Sequence, residues 1–253
     1  MGGIGLIRLL EKVVLIFYAL ICQKKIFFMQ KFNFSDISLK DLKSIVELRQ
    51  KGIADYRWTA VENIAVTEDE KFQLRYITAH TKRYPAHVMN EATLWARAIY
   101  PLLQLAERGE ILATSEVTLA AQYSTFEVHG IIDGILGKCI AGNLETPYLV
   151  VVEAKRGLEG KNPQPQLYAQ LLATACLNRE NHGNDFQEMY GCYTIADTWT
   201  FVRAEVSKID SDCPVVILEH SREYNENTET ETILKILKSI VYNYFQEQAE
   251  DEG

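Results

Sequence analysis

The sequence is poor in the features that mark several protein classes. Its 253 residues include 14 glycines and 6 prolines, too few for a linker-rich array or a collagen-like chain. The five cysteines, Cys22, Cys139, Cys176, Cys192 and Cys213, are odd in number and include no CxxC pair. That pattern argues for thiols in a reducing compartment and against a disulfide framework or a zinc cage. The five histidines, His80, His87, His129, His182 and His220, show no HxH or HxxxH spacing, so a histidine-based metal site has no support. Basic charge is short as well. Lys+Arg number 26 against 34 Asp+Glu, a net of −8, with an isoelectric point near 5.3. That balance argues against a protein held to nucleic acid by its overall charge, and any phosphate-binding surface has to be a local patch.

A run of roughly 20 apolar residues, the length of a clean membrane span, is also missing. Val13 to Cys22 gives ten apolar residues, flanked by Lys12 and by Lys24-Lys25. Three readings of residues 1–28 stay open: an extension ahead of a start at Met29, a membrane or interfacial anchor through 13–22, or an export signal without a small-x-small cleavage site. The segment carries a net +3, so the body without it stands at −11. A cytoplasmic location is expected, with anchoring through the N-terminal segment as the alternative. Residues 29–253, at 47% apolar and 24% charged for the whole chain, have the length and composition of one domain with a buried core.

Helical spacing of Leu39, Leu42, Ile45, Val46 and Leu48 behind Ser38 and Asp41 predicts a helix ending near Gly52. Thr67-Glu68-Asp69-Glu70 is a capping box opening a helix that should stop at Tyr84, before Pro85. A long helix should run from Asn90-Glu91 to Arg108, kinked at Pro101 and stopped by Gly109. Strands are expected at 111–123, 126–136 and 147–152, the last apolar on both faces and therefore central. A helix introduced by Pro163 or Pro165 follows, then a hairpin of 190–195 with 199–206 and a short strand at 215–218. Residues 219–230 are polar and acidic and read as a mobile loop. The last helix, about 231–248, carries Ile233, Ile236, Leu237, Ile240, Val241 and Tyr244 on one face. The order is that of an α/β fold around a mixed sheet.

Three charged groups converge in the middle of the chain. Gly130-Ile131-Ile132-Asp133-Gly134 puts a carboxylate near the end of an apolar strand, and Val150-Val151-Val152-Glu153-Ala154-Lys155 ends the central strand. Strand alternation sends Glu153 and Lys155 to one face. If the two strands are neighbours, Asp133 and Glu153 meet at one edge of the sheet. Paired carboxylates repel unless a cation joins them, and Mg²⁺ is typically held by one or two carboxylates plus phosphate and water. A lysine beside them stabilises charge on a phosphodiester undergoing attack. A Glu-x-Lys triplet alone arises about once by chance in a chain of this length. What distinguishes this one is the apolar strand before it, Asp133 on the preceding strand and the glutamine-bearing helix after it.

These residues resemble the PD-(D/E)XK nuclease superfamily, with Asp133 as the aspartate and Glu153-Ala154-Lys155 as the E-x-K. The element order from Asn90 to Ile195 is similar to that family's α-β-β-β-α-β core, and Met189-Tyr190-Gly191-Cys192-Tyr193-Thr194 with Trp199-Thr200-Phe201 resembles its Y-G-x-x-T…W-x-F hairpin. Ile132 stands where many members have proline. The resemblance covers about 88–206 and implies a restriction-endonuclease-like fold with extra helices at both ends. It implies a DNA nuclease in which Asp133 and Glu153 hold Mg²⁺, with Mn²⁺ as a substitute, and Lys155 is the catalytic cation. Glu91, or else Glu116, would add a metal ligand, and Gln166 or Gln170 would orient water or a phosphate.

Arg156, Lys161, Lys82, Arg83 and Arg179 are candidates for a local basic patch toward nucleic acid. His129 and the tryptophans Trp58, Trp95 and Trp199 read as structural. A homodimer is an open expectation. The rival reading is a restriction-like domain without catalysis, used for binding or assembly and tethered through 13–22; a nucleic-acid mimic is a third.

Overall fold

Valines 150–152 are β-branched and have no solvent exposure, so this segment is stable only as a strand covered on both faces. In the computed structural model, which describes residues 29–83, 85–157 and 161–251, it is the middle of β5 (Asn143–Lys155). The chain divides into two units, Met1–Gln30 and Lys31–Gly253. The readings of 13–22 lie outside the described residues. Among those residues no helix is long and apolar enough to cross a membrane.

The elements are β1 (Gln30–Asn33), α1 (Leu39–Ile45), β2 (Glu47–Ile53), α2 (Glu68–Thr81), the composite helix α3 (91–105), β3 (Ile111–Gln122), β4 (Phe126–Ile140), β5, α4 (Gln164–His182), β6 (Gln187–Ile195), β7 (Thr198–Ser207), β8 (Val215–Asn225) and α5 (Glu226–Asp251). The eight strands form one mixed sheet ordered β1-β4-β5-β6-β7-β8-β2, with β3 on β4. β3, β4 and β5 are antiparallel neighbours. β5 and β6 are parallel, which obliges the chain to cross over a face between them, and α4 is that crossover. One face is covered by α1 and α4 through Leu42, Ile45, Leu167, Leu171 and Leu172. The other is covered by α2, α3 and α5 through Leu74, Ile77, Leu102, Leu103, Ile233 and Leu237.

Several expected boundaries shift. The Ser38 capping box is present, but α1 ends at Ile45 and Val46 is already extended. Residues 47–53 are a strand instead of helix because β8 offers them a parallel partner, Glu47 opposite Val215 and Leu48 opposite Val216. The predicted loop at 219–230 is also wrong. β8 continues to Asn225 and α5 begins at Glu226, because the polar residues there have buried partners. Glu219 accepts from Lys51, Trp58 and Arg203, Ser221 Oγ from Phe201 N–H, and Glu226 from Trp199 Nε1 at 3.0 Å. Tyr168 Oη lies 2.7 Å from His220 Nε2.

Helix α3 departs from expectation in its middle. It opens with an α-helical segment Glu91–Leu94, widens into a π-turn at Trp95–Ile99 and closes with Tyr100–Leu105. Pro101 therefore sits in the first turn of the closing segment, where its missing N–H is tolerated, and the irregularity falls before it. The helix ends at Leu105 instead of Arg108.

The strands that carry the predicted carboxylate do not keep one face throughout. On β3, Ile111 and Ala113 pack on the α3 side, whereas Val117, Leu119 and Ala121 pack on the α4 side. Residues of one parity cannot change faces in a regular strand, so the pleat reverses between them, where Glu116 has φ +52°. On β4 the same reversal falls between Ile132 and Ile135, both on the α4 side. The β3–β4 register, Ser115 opposite Gly134 and Val117 opposite Ile132, sets Glu116 against Asp133 at the reversal. Trp95 clamps it. The indole donates from Nε1 to Ser115 Oγ at 3.0 Å, and its ring lies so close to Gly134 that a Cβ there would stand 2.2 Å from Cη2.

Two expectations follow. Gly134→Ala should lower stability by about 1–3 kcal/mol through overpacking, and that loss should shrink in a Trp95→Leu background; chemical denaturation of the four chains checks it. Burial pushes the Glu226 carboxyl up from 4.5 to about 7, against the pull of the Trp199 hydrogen bond and with a further push from Asp197. A carboxyl raised on folding contributes its stability fully below the unfolded value, and that contribution is lost as pH rises through the folded one. Glu226→Gln should therefore be more stable than the parent near pH 8 by up to about 3 kcal/mol, and lose the advantage near pH 4.5, as urea melts across that range would show.

Candidate active site

β4 and β5 place the two carboxylates. Their register, Gly134 opposite Val152, brings Asp133 alongside Glu153, and the Ala154 N–H donates to Asp133 Oδ2 at 2.7 Å. Both strands are interior to the sheet, so the site lies at the C-terminal end of β5 and not on an edge strand. Glu153 shares its face with Val151, toward α4, and is completely buried. Lys155, two residues on, brings Nζ to 2.5 Å from Glu153 Oε1.

Helix α4 supplies the other oxygen's partners. Pro163 caps a helix whose first turns pass over the end of β5, and Gln166 and Gln170, one turn apart, face the same way. Gln166 Nε2 donates to Glu153 Oε2 at 2.7 Å and Gln170 Nε2 to the same atom at 2.8 Å. The role expected of these glutamines was to orient water or a phosphate. Instead both amides are engaged by Glu153, which makes them positioning residues for that carboxylate.

The electrostatics follow from this packing. Burial pushes Glu153 up to about 7, the neighbouring Asp133 charge adds to the push, and Lys155 and Gln170 oppose it. Asp133 is also raised, first by burial; the Ala154 N–H and Lys155 pull it down, and Glu91 and Glu116 push it up. Burial lowers Lys155, but Glu153, Asp133 and Glu91 more than restore it, and it ends above its ordinary value. The charges acting on Asp133 are thus one ammonium against several carboxylates.

Glu91 stands at the start of α3 behind the Asn90 cap, exposed and near enough for its charge to reach both Asp133 and Lys155. Glu116 acts on Asp133 in the same way. Among the described residues, no three His, Cys, Asp or Glu side chains gather as a ready ligand set. Asp133 and Glu153 alone fit Mg²⁺, which keeps most of its waters and takes few protein ligands. Glu153 Oε1 is buried and has Lys155 as its one partner among the described residues, so it is the oxygen such an ion would share with that ammonium.

The candidate basic residues fall on several different elements. Arg179 pairs with Asp210 some 13 residues along α4 from Gln166, about 20 Å at helical rise. Lys161 lies 3.7 Å from Asp36, and Lys82 follows α2. His129 sits 3.4 Å from Glu127. Trp199 is fully buried, and Trp58 and Trp95 pack against the α3-side core. The clamp of Trp95 on Gly134 was missed in the sequence, where the Trp-to-Gly distance of 39 residues carries no signal. No protein-family model matches this chain, and none of the curated proteins matches it.

The two glutamines should differ on removal. Gln170 is fully buried, so Gln170→Ala should cost about 1–3 kcal/mol by stripping a donor from a buried carboxylate. Gln166 is partly exposed and water can replace it, so Gln166→Ala should cost less than about 1 kcal/mol. Equal losses in urea melts would refute the assignment.

Proposed function

We propose that this chain is a metal-dependent nuclease that hydrolyses DNA phosphodiester bonds at Asp133, Glu153 and Lys155. The observation that carries the reading is a buried carboxylate, Glu153, set beside a second one, Asp133, with a single ammonium, Lys155, paired to the first and acting on the second. Such an arrangement is costly for the folded chain alone and becomes favourable when a dication joins it. The element order supports it: a helix, three antiparallel strands, a crossover helix and a parallel strand, as in the restriction-endonuclease-like core that the motif resembles.

In this reading Asp133 and Glu153 hold Mg²⁺ or Mn²⁺, and Glu91 supports it with its charge. The ion, when bound, supplies a water of lowered pKa and screens the phosphodiester. Lys155, once its Glu153 partner is shared, presents a charge to the phosphate oxygen that gains electrons. Gln166 and Gln170 keep Glu153 in one rotamer, so the carboxylate does not reorganise during the reaction. Ala154 N–H does the same for Asp133.

One observation favours the rival, a binding or assembly module without catalysis. Glu153 is already satisfied by Lys155 and two amides, as a purely structural buried acid would be. The two readings part on one assay. The full chain with Mg²⁺ or Mn²⁺ should nick plasmid DNA and degrade single strands, and chelation should stop it. Asp133→Asn, Glu153→Gln and Lys155→Ala should each lower the rate at least about 100-fold, with melting temperatures showing that the variants fold. Cleavage that persists in all three, or is absent from the parent, overturns the proposal. Calorimetric Mn²⁺ binding that disappears in Asp133→Asn separates a metal site from a structural acid.

A further inference from the structure

Helix α2 lies outside the segment that resembles a nuclease, yet its surface is built in two parallel stripes. Lys71, Arg75, Thr78 and Lys82 recur at helical spacing and line a groove of about 520 Å³. Asn227, Thr228, Thr230 and Glu231 at the start of α5 form the opposite wall. One residue further round the helix run Phe72, Tyr76 and His80. Phe72 is 65% and Tyr76 64% exposed, the Tyr76 and His80 rings are 4.4 Å apart, and the Arg75 guanidinium stands 5.9 Å from the Phe72 ring. The apolar face of α2 is already occupied: Leu74 and Ile77 are buried in the core. The two exposed rings are therefore not part of that core.

The charge of the groove is opposite to that of the body. Lys71 is paired with Glu68 and Glu231 with Lys235. Among the described residues no carboxylate pairs with Arg75 or Lys82. A cationic stripe beside exposed aromatics, about 6 Å apart along the helix, is the combination that holds a single strand: cations for phosphates, ring faces for bases. A duplex hides its base faces and gains nothing from the rings.

The groove is joined to the candidate active site by a short chain of hydrogen bonds. Ala196 N–H donates to the Lys155 carbonyl at 2.9 Å. The adjacent Asp197 carboxylate accepts from Asn227 Nδ2 at 2.7 Å, and Asn227 Oδ1 accepts from Thr81 Oγ1 on α2 at 3.1 Å. Thr78 and Thr230 hydroxyls meet at 3.0 Å. The Asn227 end of the groove thus lies at the same end of the sheet as the site, the groove on the α3 face and Glu153 on the α4 face.

We propose that the α2–α5 groove binds a single-stranded nucleic acid and leads it to Asp133, Glu153 and Lys155, with Lys71, Arg75 and Lys82 on phosphates and Phe72 and Tyr76 under bases. The inference rests on the nuclease reading for its destination but not for its binding surface.

The test is fluorescence anisotropy of a labelled oligothymidylate of about 16 nucleotides, the upper site size of one single-strand-binding fold, on the full chain in EDTA. The triple Lys71→Ala, Arg75→Ala, Lys82→Ala chain should bind at least tenfold more weakly. It should also lose about two from the slope of log affinity against log salt, at about 0.7 per phosphate. Phe72→Ala with Tyr76→Ala should weaken the single strand at least tenfold and a duplex of equal length less than about twofold. All five positions are surface substitutions expected to leave the melting temperature within about 2 °C of the parent. Unchanged single-strand binding in either variant overturns the proposal, as does an aromatic variant that weakens duplex and single strand alike. So does one that alters only the oligomeric state, which would make the stripe a contact between copies. Hydrolysis of bis(p-nitrophenyl) phosphate, too small to reach the groove, separates the two readings. Loss of oligonucleotide binding in the groove variants with no hydrolysis by the parent keeps the groove and removes the nuclease. Hydrolysis that needs Asp133, with normal binding in the groove variants, does the reverse.

Discussion

A carboxylate withdrawn wholly from water is tolerated only where the fold brings hydrogen-bond donors and positive charge to it, because the bare ion would cost several kcal/mol after all relaxation. Glu153 is such a group, and much of the architecture serves it. Its Oε1 needs Lys155 on the same strand face, and its Oε2 needs two amides from a helix that begins directly beyond the strand. A helix placed there can continue only as the crossover to a parallel strand, which is how α4 joins β5 to β6. The central valines and the buried acid are therefore parts of one constraint: the valines seat β5 deep in the sheet, and that depth is what desolvates Glu153 and pushes its carboxyl up to about 7.

The second carboxylate is placed by a different device. Asp133 occupies the residue at which β4 reverses its pleat, opposite the positive-φ Glu116 on β3. Local reversals and left-handed residues are unfavourable unless surrounding contacts over-determine them. Here the π-turn of α3 provides the contact, because the wider turn carries Trp95 onto both Ser115 and Gly134. Interruptions of this kind in helices concentrate at functional sites. The reversal turns Asp133 Oδ2 to the Ala154 N–H, and so sets the separation of the two acids through the backbone of β5 itself.

How far this was legible from sequence depends on whether each residue's partner is local. The capping boxes at Ser38 and Thr67, the all-apolar Val150–Val152 and the β3–β4 hairpin are determined by neighbours within a few positions, and the structure has them where the pattern put them. The pairing of β2 with β8 could not be read, because Leu48 fits a helical stripe as well as a strand until an edge 168 residues away is available. Residues 219–225 read as loop for the same reason: Glu219, His220 and Ser221 are polar, and burial of polar residues depends on distant donors such as Lys51, Trp58 and Tyr168. The Asp133, Glu153, Lys155 set was visible as spacing, and the glutamines as a helical pair. What they do to Glu153 was not, since either amide on a helix face serves water or a carboxylate equally until the strand beneath is known.

The polar segment set aside as a loop turns out to govern the end of the sheet where these groups lie. Asp197 sits in the β6–β7 turn next to Ala196, whose N–H binds the Lys155 carbonyl, and Asp197 in turn holds both Asn225 and Asn227. Glu226 N–H donates to the Asp197 carbonyl while its own carboxyl is buried against Trp199. Acidic side chains thus tie β5, the β6–β7 hairpin, α2 and α5 into one corner. A corner built from carboxylates is stiff only while their donors stay in place, so displacement of Asn227 or Glu226 should be felt at Lys155 without either residue approaching it. A few carboxylates, Asp197 and Glu226 among them, thus serve as structural ties, while α2 turns Arg75 and Lys82 outward, so a net charge of −8 is compatible with a local cationic surface.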